Sequence, residues 1–537
     1  MRAIPWVAAM LIVEIVTLSH PSTSNAFAPP DFDVAKALLD NGVDVSTIPA
    51  LLDYALATGT NACKTACTSL RDLFGSKILT QNTSAYDAFT GSYWSQQQTS
   101  VDPYCIFTPT AAQDVSILVL IARLTQCPFA VKSGGHAAFA GASSIDDGIT
   151  VSFESMKKIE LSEDKRIASI EPGNTWFDVY HALEPDNLAV IGGRVAAIGV
   201  GGLTLGGGIS FYSSQYGFAC DNVASFEVVT AAGAIITASP TSHADLYWSL
   251  RGGGNNFGIV TRFNLQMIPQ GLMWGGSRLH TEAQSPAVID AFYNLGVSSP
   301  NDIAAAQILS FVYVQNTKLA SADLQYAKPI ANASIFSEYL AIPTTSDTTS
   351  VRTLANLTMD FNNKNPNGLR ETYWTATFRL DKDLTGFIKD VFFEEVLSVA
   401  DADALVPAIT LQVITVPMLR NFAKHGGNAL GLSEEDGPLL LIDSNSMWAN
   451  EADDERILKF HRKIIERSVE EAKKRGLFVD YIYMNYASQF QDVMPSYGAK
   501  NYARLKGVAR KYDPHGVFQV LQPGYFKLDG VSSRYTE

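Results

Sequence analysis

Closely spaced glycines are the feature of this sequence that most restricts how its backbone can fold. In residues 191–208 they include Gly199, Gly201, Gly202, Gly207 and Gly208. A backbone without Cβ atoms can lie directly against a flat ring or a phosphate group. The spacing is not that of the Gly-x-Gly-x-x-Gly fingerprint, because Thr204 occupies the third glycine position after Gly199 and Gly201. A nicotinamide-type dinucleotide site is therefore not predicted here.

A second glycine-containing segment, residues 128–141, begins with an apolar run at 129–131 that predicts a short buried strand. The run breaks into a loop of mostly small residues. This loop contains Lys132, Ser133, Gly134, Gly135, His136, Ala137 and Gly141. Its backbone N–H groups could approach a phosphate, and the imidazole of His136 is the one side chain in it suited to chemistry. The alternative is a strand followed by a surface turn with an incidental histidine.

A third segment, residues 245–260, predicts a short helix that ends in three glycines and is followed by a strand. The junction consists of Gly258, Ile259 and Val260. One interpretation is a glycine-terminated helix with an ordinary loop. The other is a loop that contacts a bound dinucleotide.

Composition limits the classes of protein that fit. The 537 residues are enough for two or three domains, and 47% hydrophobic with 18% charged residues is typical of a packed globular chain. The net charge of −14 argues against nucleic acid or an anionic membrane as the main partner. The histidines show no metal-ligand spacing, so no metal is predicted.

The N-terminus has the pattern of a secretory signal peptide that covers residues 1–26. Arg2 precedes an apolar run at 4–18, and small residues stand before a cut after Ala26. No later segment is long and apolar enough to predict a membrane span. We therefore expect a soluble, secreted protein with possible glycan acceptors at Asn82, Asn332 and Asn356.

Residues 273–480 lack glycine clusters and predict a separate substrate domain. Strands are expected at 306–314, 372–379, 407–416 and 438–443, with helices at 385–399 and 454–475. This order favours an antiparallel sheet with helices on one face. The last part predicts a strand at 481–486 and a helix that ends before Asp513-Pro514. Upstream, Thr110 and Gln113 match a capping box at the start of a helix.

In this order the segments resemble five motifs of the secreted flavoprotein oxidases related to vanillyl-alcohol oxidase and berberine bridge enzyme. The motifs are Phe-Ala-Val-Lys-Ser-Gly-Gly-His at 129–136, Gly-Val-Gly-Gly at 199–202, Arg-Gly-Gly-Gly-Asn-Asn-Phe-Gly at 251–258, and the tyrosine-rich segments 481–486 and 497–516. The resemblance covers nearly the whole chain after the signal peptide. It implies an α+β fold with a two-subdomain PCMH-type FAD-binding domain at 27–272 and a substrate domain with a large antiparallel sheet at 273–480. A C-terminal segment at 481–537 would return to the FAD domain.

The resemblance also implies the cofactor and its site. FAD would be bonded covalently to His136 alone, because Val195 stands where many relatives have a second linking cysteine. Val200 matches a position thought to control the access of oxygen to the flavin. The implied FAD-binding residues are His136, Lys132, Ser133, Gly134, Gly135, Ala137, Gly141, Gly199, Val200, Gly201, Gly202, Gly207, Gly208, Gly217, Asn222, Gly258, Ile259, Val260, Asn501 and Tyr502.

The implied catalytic residue is Tyr486, which matches a tyrosine on the substrate face of the flavin, with Gln412 as its orienting partner. Tyrosine has an ordinary pKa of about 10, so it would need a shift to act as a base. A tyrosine that only fills the core is the alternative. Relatives also have a disulfide from the N-terminal helix to the Pro-Tyr-Cys-Ile segment, here Cys67–Cys105 or Cys63–Cys105. Cys220 is expected to be a small buried apolar residue.

The implied activity is a two-electron oxidation of a small organic substrate, a secondary-metabolite intermediate, by a monomer that uses molecular oxygen. One alternative is a carbohydrate or oligosaccharide oxidase of the same fold. Val195 counts against it, because such enzymes often keep the second flavin bond. The other alternative is a non-catalytic secreted glycoprotein. The intact His136 and glycine motifs count against that one.

Overall fold

A computed structural model of the chain describes residues 32–56 and 61–531, and the expected signal peptide at 1–26 lies outside them. The fold is α+β, as expected, and contains two smaller sheets and one large antiparallel sheet. The helices are α1 Val34–Asp40, α2 Pro49–Leu56, α3 Ala62–Phe74, α4 Ser84–Thr90, α5 Gln96–Thr99, α6 Ala112–Thr125, α7 Trp176–Leu183, α8 Val200–Leu205, α9 Ser213–Tyr216, α10 Ala244–Leu250, α11 Ser285–Ser298, α12 Ser337–Ala341, α13 Leu354–Asn362, α14 Lys382–Glu395, α15 Val416–Asn421, α16 Asp454–Lys474, α17 Ala499–Tyr512 and α18 Val517–Val520.

The first sheet has four short strands. They are β1 Ile78–Thr80, β2 Cys105–Phe107, β3 Phe129–Lys132 and β4 Ile149–Ser152, in the order β1-β2-β4-β3. β4 pairs in parallel with both β2 and β3, whereas β1 is antiparallel to β2. The predicted strand at 129–131 is therefore confirmed, and its carboxyl end leads directly into the loop that contains His136.

Two disulfides fasten helix α3 to this sheet. Cys67–Cys105 links α3 to β2 and is one of the two expected pairings. Cys63–Cys127 links the same helix to the turn before β3. Cys220 is free and buried, as expected.

The second sheet is antiparallel. Its strands are β5 Ile159–Leu161, β6 Ile167–Ile170, β7 Leu188–Val190, β8 Val223–Val229, β9 Ile235–Ala238 and β10 Ile259–Pro269. The order is β5-β6-β10-β8-β9, with β7 also paired to β10. The glycine segment 191–208 leaves β7, and the predicted strand after Gly258 is β10.

The third sheet is the large antiparallel one. Its strands are β11 Met273–Thr281, β12 Ala305–Val314, β13 Thr317–Tyr326, β14 Ser346–Asp347, β15 Ser350–Arg352, β16 Arg370–Arg379, β17 Val406–Ile414, β18 Leu439–Trp448 and β19 Phe478–Val479. The order is β14-β11-β13-β12-β17-β18-β16-β19, with β15 paired to β11. Helices α11, α14 and α16 contribute apolar residues to the core cluster under this sheet, which includes Phe292, Phe392 and Ile464. Residues of β12, β16, β17 and β18 that are not in this core cluster, such as Ser310, Tyr373 and Asp443, line a cavity together with the glycine loops.

Two local predictions are wrong. Thr110 and Gln113 do not form a capping box, because α6 begins at Ala112 and the carboxylate of Asp114 accepts the Thr110 N–H at 2.9 Å. Residues 481–486 are not a strand, and 484–486 form a short 3-10 helix. The alternation there is real, since Tyr481 and Tyr483 are both buried. However, side chains anchor the segment, as in the bond from the Ile482 N–H to Ser496 Oγ at 3.0 Å.

A short two-stranded hairpin, β20 Phe526–Lys527 and β21 Gly530–Val531, follows α18. Within 32–56 and 61–531, no helix has the length and apolar character needed to cross a membrane. The same residues contain no cluster of three or more histidine, cysteine or acidic side chains that could hold a metal ion.

Candidate active site

A cavity of about 380 Å³ lies where the glycine loops meet the large sheet. One wall is formed by the loop after β3 and by residues 194–205. A second wall is the face of β12, β16, β17 and β18 that carries Ser310, Tyr373, Gln412 and Asp443, and a third is the segment 483–487. Segments that are far apart in the chain thus line one cavity.

The two glycine loops pack against each other through bare backbone. A Cβ on Gly134 would collide with the backbone of Gly199, and a Cβ on Gly199 would collide with Gly134. Gly135 has a φ of 69°, which residues with a Cβ seldom adopt. Gly202 differs, because a Cβ there would meet no atom within 4 Å and would stand on the cavity wall. Gly134 and Gly199 have to be glycine for the two loops to pack against each other. At Gly202, the lack of a side chain keeps the cavity wall flat.

The imidazole of His136 lines the cavity and stacks on the indole of Trp94, with ring centroids 4.1 Å apart and planes inclined by 15°. The Nε2 atom is buried and has no hydrogen-bond partner among the described residues. Burial lowers the pKa of His136 from 6.5 to about 4. The ring is therefore neutral near pH 7, so one ring nitrogen keeps a free lone pair.

Across the cavity, two donors hold the phenol oxygen of Tyr486. Arg194 Nη2 donates to it at 2.5 Å, and Gln412 Nε2 donates at 3.0 Å. Because both partners donate, the phenol hydrogen has to point away from them. Arg194, Gln412 and Tyr486 all line the cavity. The sequence therefore predicted the pair Tyr486 and Gln412, and the structure brings them into direct contact.

A row of polar side chains runs across the sheet face of the cavity. Ser310, Thr410 and Asp443 lie on adjacent strands in direct register, and all three line the cavity. Ser310 Oγ and Thr410 Oγ1 are 3.0 Å apart. Asn445 Nδ2 donates to Asp443 Oδ2 at 3.2 Å, whereas Asp443 Oδ1 is buried with no partner in the described part of the chain. Burial raises the pKa of Asp443 well above its ordinary value, against the opposing effects of Asn445 and the Arg194 charge.

Most of the expected cofactor-contacting residues do line the cavity. They are Ser133, Gly134, Gly135, His136, Ala137, Gly199, Gly201, Gly202, Gly258, Ile259 and Val260. Val195, which stands in place of the second linking cysteine, lines it as well. The loops identified by their glycines therefore converge on one cavity.

Other expected residues lie outside the cavity and have structural contacts instead. They are Lys132, Gly141, Val200, Gly207, Gly208, Gly217, Asn222, Asn501 and Tyr502. The ammonium of Lys132 lies over the ring of Phe89, 4.8 Å from its centroid. Asn501 donates to the Ala429 carbonyl at 3.2 Å, and Tyr502 donates to the Leu528 carbonyl at 2.6 Å. These two side chains were expected beside the flavin but fasten α17 to neighbouring segments.

Several cavity residues had no predicted role. They are Arg194, Tyr373, Asp443 and Asn445. Trp94 also had no predicted role; it does not line the cavity itself but stacks on His136, which does. Asp443 and Asn445 are two residues apart, and this spacing puts both on one face of a strand. The spacing of Asp443 and Asn445 could therefore be read from the sequence. The pairing of β18 with β16 and β17, which places this face in the same cavity as His136, could not.

The cavity suits FAD on the evidence of its own residues. It has a wall without side chains at Gly202 for a flat or phosphate-bearing group, and apolar side chains such as Leu203 and Ile259 that suit a ring system. His136 adds a neutral imidazole whose buried Nε2 has no hydrogen-bond partner within 32–56 and 61–531. Gly202, His136 and Tyr486 all line this one cavity.

Comparison with known proteins also indicates FAD as the cofactor. Residues 103–239 match the family model described as FAD binding domain. The chain is 36% identical over 502 residues to the FAD-dependent monooxygenase tpcD of Cochliobolus heterostrophus, covering 88% of this chain and 96% of that protein. It is 36% identical over 506 residues to the FAD-dependent monooxygenase FUP4 of Fusarium proliferatum, covering 89% and 96%.

Solved structures share the fold. The 6-hydroxy-D-nicotine oxidase of Arthrobacter nicotinovorans superposes with a TM-score of 0.68 at 22% identity, covering 82% of this chain and 96% of that one. Physcomitrella patens BBE-like 1 superposes with a TM-score of 0.69 at 16% identity, covering 87% and 98%. The chain therefore belongs to the family of these fungal FAD-dependent monooxygenases, and it has the fold of the berberine bridge enzyme-like flavoproteins.

Proposed function

We propose that the protein is a secreted oxidase that removes a proton and a hydride from a small oxygenated organic substrate, with FAD attached covalently to His136 and O₂ as the electron acceptor. The observation that carries the proposal is the position of Tyr486. Its phenol oxygen, held by Arg194 and Gln412, faces the same cavity as the neutral imidazole of His136.

FAD would be held by the loop of His136, by residues 199–202 and by residues 258–260. When bound, FAD supplies a two-electron acceptor for the substrate's hydride and passes the electrons on to O₂. The linkage would be single, because Val195 offers no thiol on the cavity wall. The lowered pKa of His136 supports attachment, since only a neutral imidazole has a lone pair to form the bond.

Tyr486 would receive the proton that the substrate gives up. Arg194 and Gln412 both donate to the phenol oxygen, so they would stabilise the phenolate form of Tyr486, whose remaining lone pair can accept the proton of a substrate hydroxyl. The guanidinium also places a positive charge where negative charge develops as the proton leaves the substrate. Arg194 is thus the stabilising residue and Gln412 the orienting one.

The polar row on the sheet supports an oxygenated substrate. The Oδ1 atom of Asp443 has no partner among the described residues, and the raised pKa of this carboxyl favours its protonated, donating form. Such a donor suits a carbonyl or phenol oxygen of a secondary-metabolite intermediate. The hydroxyls of Ser310 and Thr410 also suit a sugar, so a carbohydrate oxidase is kept as a comparison in substrate screening.

Export is supported by the two disulfides, because such bonds persist in oxidising compartments. The sequon asparagines Asn82, Asn332 and Asn356 are all exposed. Asn82 and Asn332 lie outside helices with φ values of 64° and 61°, whereas Asn356 lies within α13. We therefore propose Asn82 and Asn332 as the glycan acceptors.

A second candidate, monooxygenation, is favoured by the printed names of the curated relatives. A monooxygenase places one atom of O₂ in the product and consumes two electrons from an outside donor. An oxidase reduces both oxygen atoms to hydrogen peroxide.

The test is to reduce the purified protein without air and then mix it with oxygenated buffer. The oxidase proposal expects rapid return of the oxidised flavin spectrum and one hydrogen peroxide per flavin. Persistence of the reduced spectrum for minutes in air would overturn it in favour of a dehydrogenase. Incorporation of ¹⁸O from ¹⁸O₂ into the product of a screened substrate would overturn it in favour of monooxygenation.

A further inference from the structure

The segment 93–98, which we call the bridging segment, joins the loop of His136 to the large sheet. It carries Trp94, and its last three residues are the start of the short helix α5. Ser95 pairs with Leu369 in an isolated parallel bridge, and Gln96 Nε2 donates to the Gly368 carbonyl at 2.7 Å. Gln97 Nε2 donates to the Glu371 carbonyl at 2.9 Å. One side of the bridging segment is thus fixed to the start of β16.

The other side holds the two carbonyl groups that flank His136. The Trp94 N–H donates to the Gly135 carbonyl at 3.4 Å. Ser95 Oγ and Gln98 Nε2 both donate to the Ala137 carbonyl at 3.0 Å. The backbone on each side of His136 is therefore restrained by this one segment.

The side chain of His136 is restrained as well. The Trp94 indole is only 3% exposed and stacks on the imidazole at 4.1 Å. The same indole is nearly parallel to the ring of Tyr373 on β16, at 5.7 Å and 19°. The indole is therefore held by the sheet while it contacts the imidazole, and it limits rotation of that ring about its side-chain bonds.

We propose that Trp94 is a positioning residue for the covalent attachment of FAD to His136. The inference rests on the proposed function, because it requires the His136 bond. In the attachment, an imidazole nitrogen bonds to the 8α carbon of FAD, and one C–H and one N–H bond break. The two protons and two electrons released are taken up by O₂, which becomes hydrogen peroxide. A nitrogen held at the correct place reacts much faster than one on a freely rotating ring, and a misplacement of about 1 Å can cost about 100-fold in rate.

The experiment compares Trp94→Leu, Trp94→Met and Trp94→Phe with the wild-type protein. Each protein is purified with its bound FAD and denatured either at once or after incubation in air with added FAD. Intact-protein mass then gives the covalent fraction. Trp374→Leu is the matched control, because Trp374 is an equally buried tryptophan on β16 whose ring stacks on Phe490 and not on His136.

We expect complete attachment in the wild type and in Trp374→Leu. In Trp94→Leu and Trp94→Met, most FAD should be bound but released on denaturation, with attachment about 10- to 100-fold slower. Trp94→Phe keeps an aromatic face and should restore most of the attachment. This rescue distinguishes a loss of positioning from a loss of fold. If Trp94→Leu does not fold, the covalent fraction is measured on Trp94→Met instead.

Two outcomes would overturn the inference while the proposed function stands. In the first, FAD attaches to both Trp94→Leu and Trp94→Met as fast and as completely as to the wild-type protein. In the second, the variants fold but bind no FAD at all. Release of all FAD from the wild-type protein is a different result. It would refute the His136 bond itself, and the inference with it.

Discussion

Gln412 Nε2 donates a hydrogen bond to the phenol oxygen of Tyr486 at 3.0 Å, across the junction between the large sheet and the C-terminal segment. Arg194, from the loop after β7, donates to the same oxygen. Three parts of the chain therefore meet at one atom. This convergence favours a catalytic role over simple core filling, because a tyrosine that only filled space would not need two donors beside a cavity.

The first prediction concerns this oxygen. Tyr486→Phe removes the proton acceptor but keeps the ring, and we expect the turnover number to fall by about 10²- to 10⁴-fold. FAD content and the flavin spectrum should not change. The measurement is the rate of anaerobic flavin reduction by a substrate found in screening. Turnover within about threefold of wild type would show that another group takes the proton.

The second prediction separates the two uses of glycine. Gly134→Ala should prevent correct folding, because its Cβ would collide with the backbone of Gly199. Gly202→Ala should fold with a thermal midpoint at or slightly above that of wild type, because the position lies within α8, but bind FAD more weakly, since its Cβ would project from the cavity wall. Circular dichroism measures folding and the thermal midpoint, and flavin absorbance per protein measures the FAD content. Equal FAD content in Gly202→Ala and wild type would argue against FAD on this wall.

The third prediction concerns a buried carboxyl on β16. Glu371 is 4% exposed, its Oε1 atom has no partner among the described residues, and burial raises its pKa from 4.5 to about 9. As pH rises from 4.5 towards 9, the unfolded chain releases this proton and the folded protein keeps it. This group therefore lowers the free energy of unfolding with rising pH.

Glu371→Gln removes that dependence. The variant should gain about 3–5 kcal/mol over wild type at pH 8 and little at pH 5. Chemical denaturation at the two pH values measures the difference. Glu163→Gln, at an exposed position, is the control and should give no such trend. Parallel pH profiles for Glu371→Gln and wild type would contradict the account.

The fourth prediction concerns the disulfides. Cys63–Cys127 spans 64 residues and Cys67–Cys105 spans 38, and each closes a loop of the unfolded chain. Replacing either pair by alanine should lower the free energy of unfolding by about 2–4 kcal/mol. Thermal unfolding with and without a reducing agent tests this, since reductant should lower the wild-type midpoint more than that of either variant. A midpoint unaffected by reductant would mean that the bonds do not form.

The loops of the site could be predicted because each is contiguous in sequence. His136 and its glycines lie in one run, and the segment 199–202 in another. Arg194, Trp94 and Asp443 could not be placed, because their positions depend on strand pairing and on the bridging segment. Asn501 and Tyr502 were assigned through the resemblance of the C-terminal segment, which does not specify the residues of α17 that reach the cavity, and neither lines it. The resemblance implied the α+β fold class, and the local order of strands and helices at 273–480 favoured its antiparallel sheet.

The most direct test of the central claim is the fate of the yellow colour when the purified protein is precipitated with acid. The account predicts that flavin stays with the wild-type pellet and is carried by a peptide containing His136. In a His136→Ala variant, flavin should pass into the supernatant. Wild-type flavin that washes into the supernatant, or a His136→Ala variant that still retains it in the pellet, would contradict the attachment on which this account rests.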